Sequence, residues 1–257
     1  MTMEVAYWLI GGLMALAIGS FLNVVISRLP LQLQQDEVAA TLFYPASHCP
    51  QCKTPLRWRD NIPVLSWLWL RGQCRYCGCV VSMRYPLVEI LTSLSALSLT
   101  CYLPFDKHLV PALLFIWSLL VLAWIDIEHF LLPDVITLPL LWAGLLFKTM
   151  GWLAGPLNEA VIGAVAGYLS LWLLAKIHQR LRGFEALGMG DAKLLAAMGA
   201  WLGWPLLPSV LLFASSGAIL CVLISRMAWQ REVNHVIAFG PWIALSAISL
   251  FIHSIIF

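Results

Sequence analysis

Between Val5 and Ser27 the chain runs for 23 residues without one charged side chain. That is enough helix to cross the roughly 30 Å hydrocarbon layer of a bilayer. No basic segment precedes the run and no small-residue cleavage site follows it, so it is expected to stay as an anchor rather than leave as a signal peptide. Further apolar runs lie at about 86–103, 109–125, 135–150, 157–175, 192–208, 209–225 and 236–257. The expectation is eight membrane helices. Composition agrees: 61% of residues are hydrophobic and 11% charged, with a mean hydropathy of +0.86, whereas soluble domains carry about 25% charged residues. The runs at 135–150 and 192–208 are short and interrupted by Pro139, Gly199 and Gly203. Broken spans of that kind tend to line a cavity rather than face lipid.

Orientation follows from the basic residues. Of 15 Lys and Arg, seven lie between Arg28 and Arg84 and four between Lys176 and Lys193, while Arg226 and Arg231 share a third loop. Only Lys107 and Lys148 fall in the alternate loops. Basic loops stay in the cytoplasm, so both termini are expected on the outer side. The net charge of +2 is accounted for by this asymmetry and calls for no nucleic-acid partner.

One loop exceeds a connector. Residues 28–85 contain "SHCPQC" and "GQCRYCGC", which read as Cys49-x2-Cys52, a gap of 21 residues, then Cys74-x2-Cys77. Two such pairs resemble a zinc ribbon, in which four thiolates surround Zn²⁺ as a tetrahedron. Disulfides or unbound thiols are the alternative, but a basic loop belongs to the reducing cytosol, where stable disulfides are rare. Four thiolates leave no open coordination position, so the metal is expected to be structural. Cys79 could compete as a ligand but breaks the spacing. Cys101 and Cys221 lie in apolar runs and read as core residues.

"GMGDAK", Gly188 to Lys193, places an aspartate between two apolar runs. Asp126, in "LLVLAWIDIEHFLLPD", closes the third run. Alternating spans put Asp126 and Asp191 on the same side of the membrane at similar depth. Two carboxylates within a few ångströms share a proton. The ionised one can take a proton from water while the protonated one polarises a peptide carbonyl. Gly188 and Gly190 would let a substrate chain approach. Other roles stay open on residue chemistry alone. Asp191 suits a helix N-cap and Asp134, after Pro133, suits one better; Glu128 reads as solvated at the interface. A carboxylate pair can also serve as a proton relay in a transporter, or as part of an assembly scaffold.

The motifs together resemble the type IV prepilin peptidases, a family of intramembrane aspartyl proteases. "GSFLNVVISRLP" (Gly19–Pro30) is similar to the family's opening segment. "SHCPQCKTPLRWRDNIPVLSWLWLRGQCRYC" with "SMRYPLVE" is similar to its zinc loop, and "DIEHFLLPD" and "GMGDAK" to its two aspartate motifs. "AFGPW" is also family-like, with Ala238 where proline is common.

The resemblance implies Asp126 and Asp191 as the catalytic pair and Cys49, Cys52, Cys74 and Cys77 as zinc ligands. It implies an all-α polytopic protein of the bacterial inner membrane, with about eight transmembrane helices and a cytoplasmic zinc-ribbon-like loop. Residues 1–27 would form the first helix, 28–85 the zinc loop, and 86–257 a seven-helix peptidase domain. The substrates implied are prepilins of type IV pili or pseudopilins of type II secretion, held in the lipid bilayer and cleaved at the cytoplasmic face after a glycine. Family members also N-methylate the new terminus with S-adenosylmethionine. No strand–GxGxxG–helix unit marks a site for that donor; Arg84 and Glu89, in "MRYPLVE", are the candidates.

Overall fold

The computed structural model describes residues 2–34, 41–44, 46–103, 107–183, 188–229 and 237–256. Among these, nine α-helices follow one another: α1 Thr2–Gln34, α2 Leu65–Trp69, α3 Arg84–Tyr102, α4 Leu109–His129, α5 Asp134–Thr149, α6 Leu157–Arg182, α7 Met189–Leu202, α8 Leu207–Trp229 and α9 Gly240–Ile256. Eight correspond to the eight apolar runs, and α2 is a short helix inside the cysteine loop. Four stretches, Trp8–Leu33, Leu109–His129, Leu157–Arg182 and Trp204–Met227, are long and apolar enough to cross a bilayer. The chain is an all-α polytopic membrane protein. Arg231, in the third basic loop, lies outside the described residues.

Two compact units divide the chain, Met1–Phe105 and Asp106–Phe257. In the first, α1 packs against α3. Close approach is possible because Gly19 has no side chain: a Cβ there would stand 2.7 Å from the Glu89 Cα. Two hydrogen bonds fix the register, Ser93 Oγ to the Gly12 carbonyl at 3.2 Å and Asn23 Nδ2 to the Tyr85 carbonyl at 3.0 Å. Other hydroxyls of α3 lower its hydropathy but are satisfied on its own backbone, as in Thr92 Oγ1 to the Val88 carbonyl at 2.7 Å. Helix α1 continues beyond Ser27, the end of the apolar run, as far as Gln34.

The second unit is built around α7, which packs against α5, α6 and α9. Its 14 residues span about 21 Å at 1.5 Å per residue, less than the hydrocarbon thickness. A helix that short is tolerable because protein surrounds it: Ala192 and every residue from Leu194 to Leu202 are buried. Gly163 and Gly167 of α6 form a G-x-x-x-G face against α7. A Cβ on Gly167 would lie 2.6 Å from the Leu195 carbonyl oxygen, and one on Gly199 would collide with the Gly163 carbonyl. Small residues let helix backbones meet in this way where no hydrophobic force drives association in lipid. At the far end of α7, Trp201 donates Nε1–H to the Leu140 carbonyl at 2.7 Å and packs among Phe115, Phe147 and Phe251.

Two expectations are corrected. The run 192–208 is not one helix: α7 stops at Leu202, Gly203 adopts φ +85°, and a 3-10 turn, Trp204–Leu206, leads into α8. Cys101 and Cys221 are exposed rather than core residues. In a membrane span the outward face meets lipid, so apolar sequence does not sort buried from exposed positions.

Candidate active site and metal centre

Helix α4 ends one turn after Asp126. Phe130 takes the left-handed conformation, φ 52° and ψ 40°, and its N–H closes on the Asp126 carbonyl at 2.9 Å. Asp126 thus sits in the last turn of α4, buried, while Glu128 is exposed. Its carboxylate Oδ2 accepts the N–H of Gly240 at 2.9 Å. Gly240 is the first residue of α9, where unsatisfied N–H groups and the helix dipole favour a carboxylate. A Cβ on Gly240 would stand 2.6 Å from Asp126 Oδ2 and 3.2 Å from Leu132 Cδ2. Only glycine fits there without moving the carboxylate.

Asp191 lies in the first turn of α7, half-buried. It is not the N-cap: Gly188 holds that position, and Asp191 folds back over it, with Oδ2 3.4 Å from where a Gly188 Cβ would be. The N–H of Asp191 bonds the Gly188 carbonyl at 3.2 Å, closing the turn. Leu132, buried in the segment between α4 and α5, joins the parts. It lies against Gly240, and its Cβ is 2.9 Å from a Cβ placed on Gly190. Through Leu132 and Gly240 the structure places the turns that carry Asp126 and Asp191 at the same end of the unit.

Asp134 departs from expectation. It does not cap α5, whose N-cap is Pro133. Both its oxygens accept from Lys193 Nζ, at 2.8 and 2.7 Å. This pair ties the first turn of α5 to the first turn of α7, two residues beyond Asp191. The opposite end of the unit carries Lys148, whose Nζ donates to the Ala154 carbonyl at 3.0 Å, and His108, whose Nδ1 donates to the Trp152 carbonyl at 2.7 Å.

In the first unit, the Sγ atoms of Cys49, Cys52, Cys74 and Cys77 all lie within 4.8 Å of one another. Zinc–sulfur bonds of about 2.3 Å in a tetrahedron imply sulfur separations of about 3.8 Å, and Cys49 and Cys77 are 3.8 Å apart. The four fit a zinc ion. Each pair comes from the same local turn. Cys49 N–H donates to the Thr54 carbonyl at 3.1 Å and Lys53 N–H to the Cys49 carbonyl at 3.0 Å. Cys74 N–H donates to the Cys79 carbonyl at 2.8 Å and Gly78 N–H to the Cys74 carbonyl at 2.9 Å. Lys53 and Gly78 both have positive φ, 57° and 71°, which turns the chain so that N–H groups face sulfur. The N–H of Cys52 leads in holding the Cys49 thiol down at about 6, close to the thiolate a metal needs.

Glu89 and Arg84 are engaged in the packing of this same unit. Glu89, buried, accepts the Val64 N–H at 2.7 Å; Val64 has φ 61°, strained for a β-branched residue. Arg84 donates to Ser27 Oγ at 2.6 Å and lies over the Tyr85 ring. Both side chains are thus held by contacts within the unit.

Two features missed by sequence reasoning are the Gly240 N–H and the Lys193–Asp134 pair. The "AFGPW" motif was the one signal for the first, and the lysine within "GMGDAK" for the second.

Two carboxylates at one end of a unit built around a buried, shortened helix, in a polytopic helical protein, are groups of the kind that do acid–base chemistry on water. Comparison with known proteins names the group. Residues 13–103 match the bacterial Peptidase A24 N-terminal domain and residues 113–224 the type IV leader peptidase family. The chain belongs to the type IV leader peptidase family, as its motifs had suggested. A prepilin leader peptidase/N-methyltransferase of Dickeya chrysanthemi is 48% identical over 91% of this chain and 88% of its own length. One of Klebsiella pneumoniae is 52% identical over 80% and 90%, and one of Stutzerimonas stutzeri 41% over 94% and 89%. No solved structure gives a significant match.

Proposed function

We propose that the protein is an intramembrane aspartyl endopeptidase that removes the leader from prepilins or pseudopilins, and that it methylates the new N-terminus. The observation that carries the first activity is the placement of Asp126 and Asp191 at the same end of the unit, on turns joined by Leu132 and Gly240, in a chain of this family. One carboxylate, ionised, takes a proton from water as the water oxygen bonds to the scissile carbonyl carbon. The other, protonated, hydrogen-bonds the carbonyl oxygen and holds it as negative charge develops. Collapse of the tetrahedral species breaks the C–N bond, and the proton passes to the leaving amine. Gly240 N–H orients Asp126 for this exchange. S-adenosylmethionine would supply the methyl group of the second activity.

The four thiols of residues 28–85 would hold a structural Zn²⁺, and residues 86–257 would form the peptidase domain. The membrane is the bacterial inner membrane. Thirteen of 15 basic residues lie on one set of loops and adjoining helix ends, which supports a cytoplasmic side for the zinc loop and for the aspartate end of the second unit. We expect eight crossings, the shorter helices included.

Two experiments test the proposal. Purified protein incubated with a prepilin in detergent should release a leader of the expected mass; no release from a folded preparation would refute the peptidase. In intact cells, an impermeant thiol reagent should reach Ala154→Cys, before α6, and not Leu181→Cys, at its other end. The reverse pattern would put the aspartates on the wrong face.

A further inference from the structure

A fifth thiol stands at the metal centre. Cys79 Sγ is 3.4 Å from Cys49 Sγ, at least as close as Cys77 is at 3.8 Å. The two turns show what this position ordinarily does. Thr54 occupies it in the first turn, its carbonyl accepting from Cys49 N–H as that of Cys79 accepts from Cys74 N–H, and its hydroxyl donates to the Cys52 carbonyl at 3.5 Å. The second turn carries a side chain that can itself bind the metal, and directs it across to the other pair. Cys77 is exposed, whereas Cys49 and Cys74 are buried and Cys52 is partly buried. Of the four ligands it is the one water and oxidants reach most easily.

We propose that Cys79 is a reserve zinc ligand, able to take the place of Cys77 so that the tetrahedron is drawn from five thiols. The exchange needs no oxidant: the Cys79 thiol loses a proton as its sulfur binds, and the departing Cys77 thiolate gains one. The proposal rests on the zinc reading of the four-cysteine cluster and adds a residue that the two-residue spacing excludes.

The test uses the full chain in detergent with four variants: wild type, Cys77→Ser, Cys79→Ser and Cys77→Ser/Cys79→Ser. Zinc is measured by mass spectrometry after challenge with a graded chelator, and Co²⁺ loading follows thiolate-to-metal absorption. Wild type, Cys77→Ser and Cys79→Ser should each keep about one zinc and a four-thiolate cobalt spectrum. The double variant should drop to a weaker spectrum and hold zinc at least about tenfold less tightly. If Cys77→Ser and the double variant behave alike, whether both keep zinc or both lose it, Cys79 is no ligand and the proposal fails. Wild-type protein that binds no zinc would instead overturn the metal reading itself.

Discussion

The thiol cluster and the carboxylate site are assembled on opposite plans. Each pair of thiols comes from one six-residue turn, Cys49–Thr54 or Cys74–Cys79, and the two turns repeat bond for bond. The carboxylates come from the last turn of α4 and the first turn of α7, and the donor that fixes Asp126 arrives from α9, 114 residues away. The thiol site is locally determined and has a spare sulfur beside it. The carboxylate site depends on tertiary packing to bring its parts to one place and has no spare part. Tolerance to change should differ accordingly.

The largest effect is expected at the carboxylates. Asp126→Asn or Asp191→Asn keeps size and most hydrogen bonding but leaves one titrating group where two are needed. Each should lower prepilin cleavage by roughly a thousandfold or more, and the double variant should cost scarcely more, because groups acting as a unit are not additive. Initial rates of leader release provide the measurement. Substantial cleavage by either single variant would mean that this pair is not the catalyst.

Removing a whole turn of thiols is the next largest change. Cys49→Ser with Cys52→Ser leaves at most three sulfurs, even counting Cys79, so zinc should fall to near zero by elemental analysis. The loop should become sensitive to protease, since zinc-binding free energy is also folding free energy. A metal-free loop as resistant as the wild type would break the comparison, by showing that the turns hold without the ion.

The two plans explain what could be read in advance. Cys49, Cys52, Cys74 and Cys77 are legible because ligand spacing and local turn are the same information. The eight apolar helices are legible because lipid selects composition over tens of residues. Asp126 and Asp191 stand out as charges amid apolar sequence, but their placement at the same end of the unit is a property of how α7 lies among α5, α6 and α9. The residues 203–206 break was harder to place: Gly199 and Gly203 both interrupt the pattern, and one is a packing contact with Gly163 while the other ends the helix. Composition does not separate those roles. Asp134 read as a cap because Pro133 precedes it, and its true partner, Lys193, lies in another motif.

Gly240→Ala should give a smaller loss than removing a carboxylate. The added methyl would stand 2.6 Å from Asp126 Oδ2, so either the carboxylate turns away or α9 shifts. Displacements of about 1 Å at a catalytic group can cost around a hundredfold, and a fall of tenfold to a hundredfold in kcat is expected, with zinc content unchanged. Wild-type turnover would show that the Gly240 N–H does not position Asp126.

The smallest effect is expected from the ion pair that links the two aspartate motifs. Asp134 and Lys193 side chains are 50% and 31% exposed, so solvent screens their attraction, and such pairs contribute about 0.5 kcal/mol. Asp134→Asn retains an acceptor for the Lys193 ammonium and should keep activity within about threefold of wild type. Lys193→Met removes the link from the other side and should do the same, because Gly190, Leu132 and Gly240 still hold the α4–α5 segment against α7 and α9. Thermal unfolding in detergent and initial cleavage rates, measured on both variants, separate a stability change from a catalytic one. If Asp134→Asn alone were as inactive as an aspartate-pair variant, while Lys193→Met stayed active, the carboxylate itself and not its ion pair would be required. The first catalytic group would then lie at position 134, and the Asp126–Gly240 contact would be a structural cap on α9.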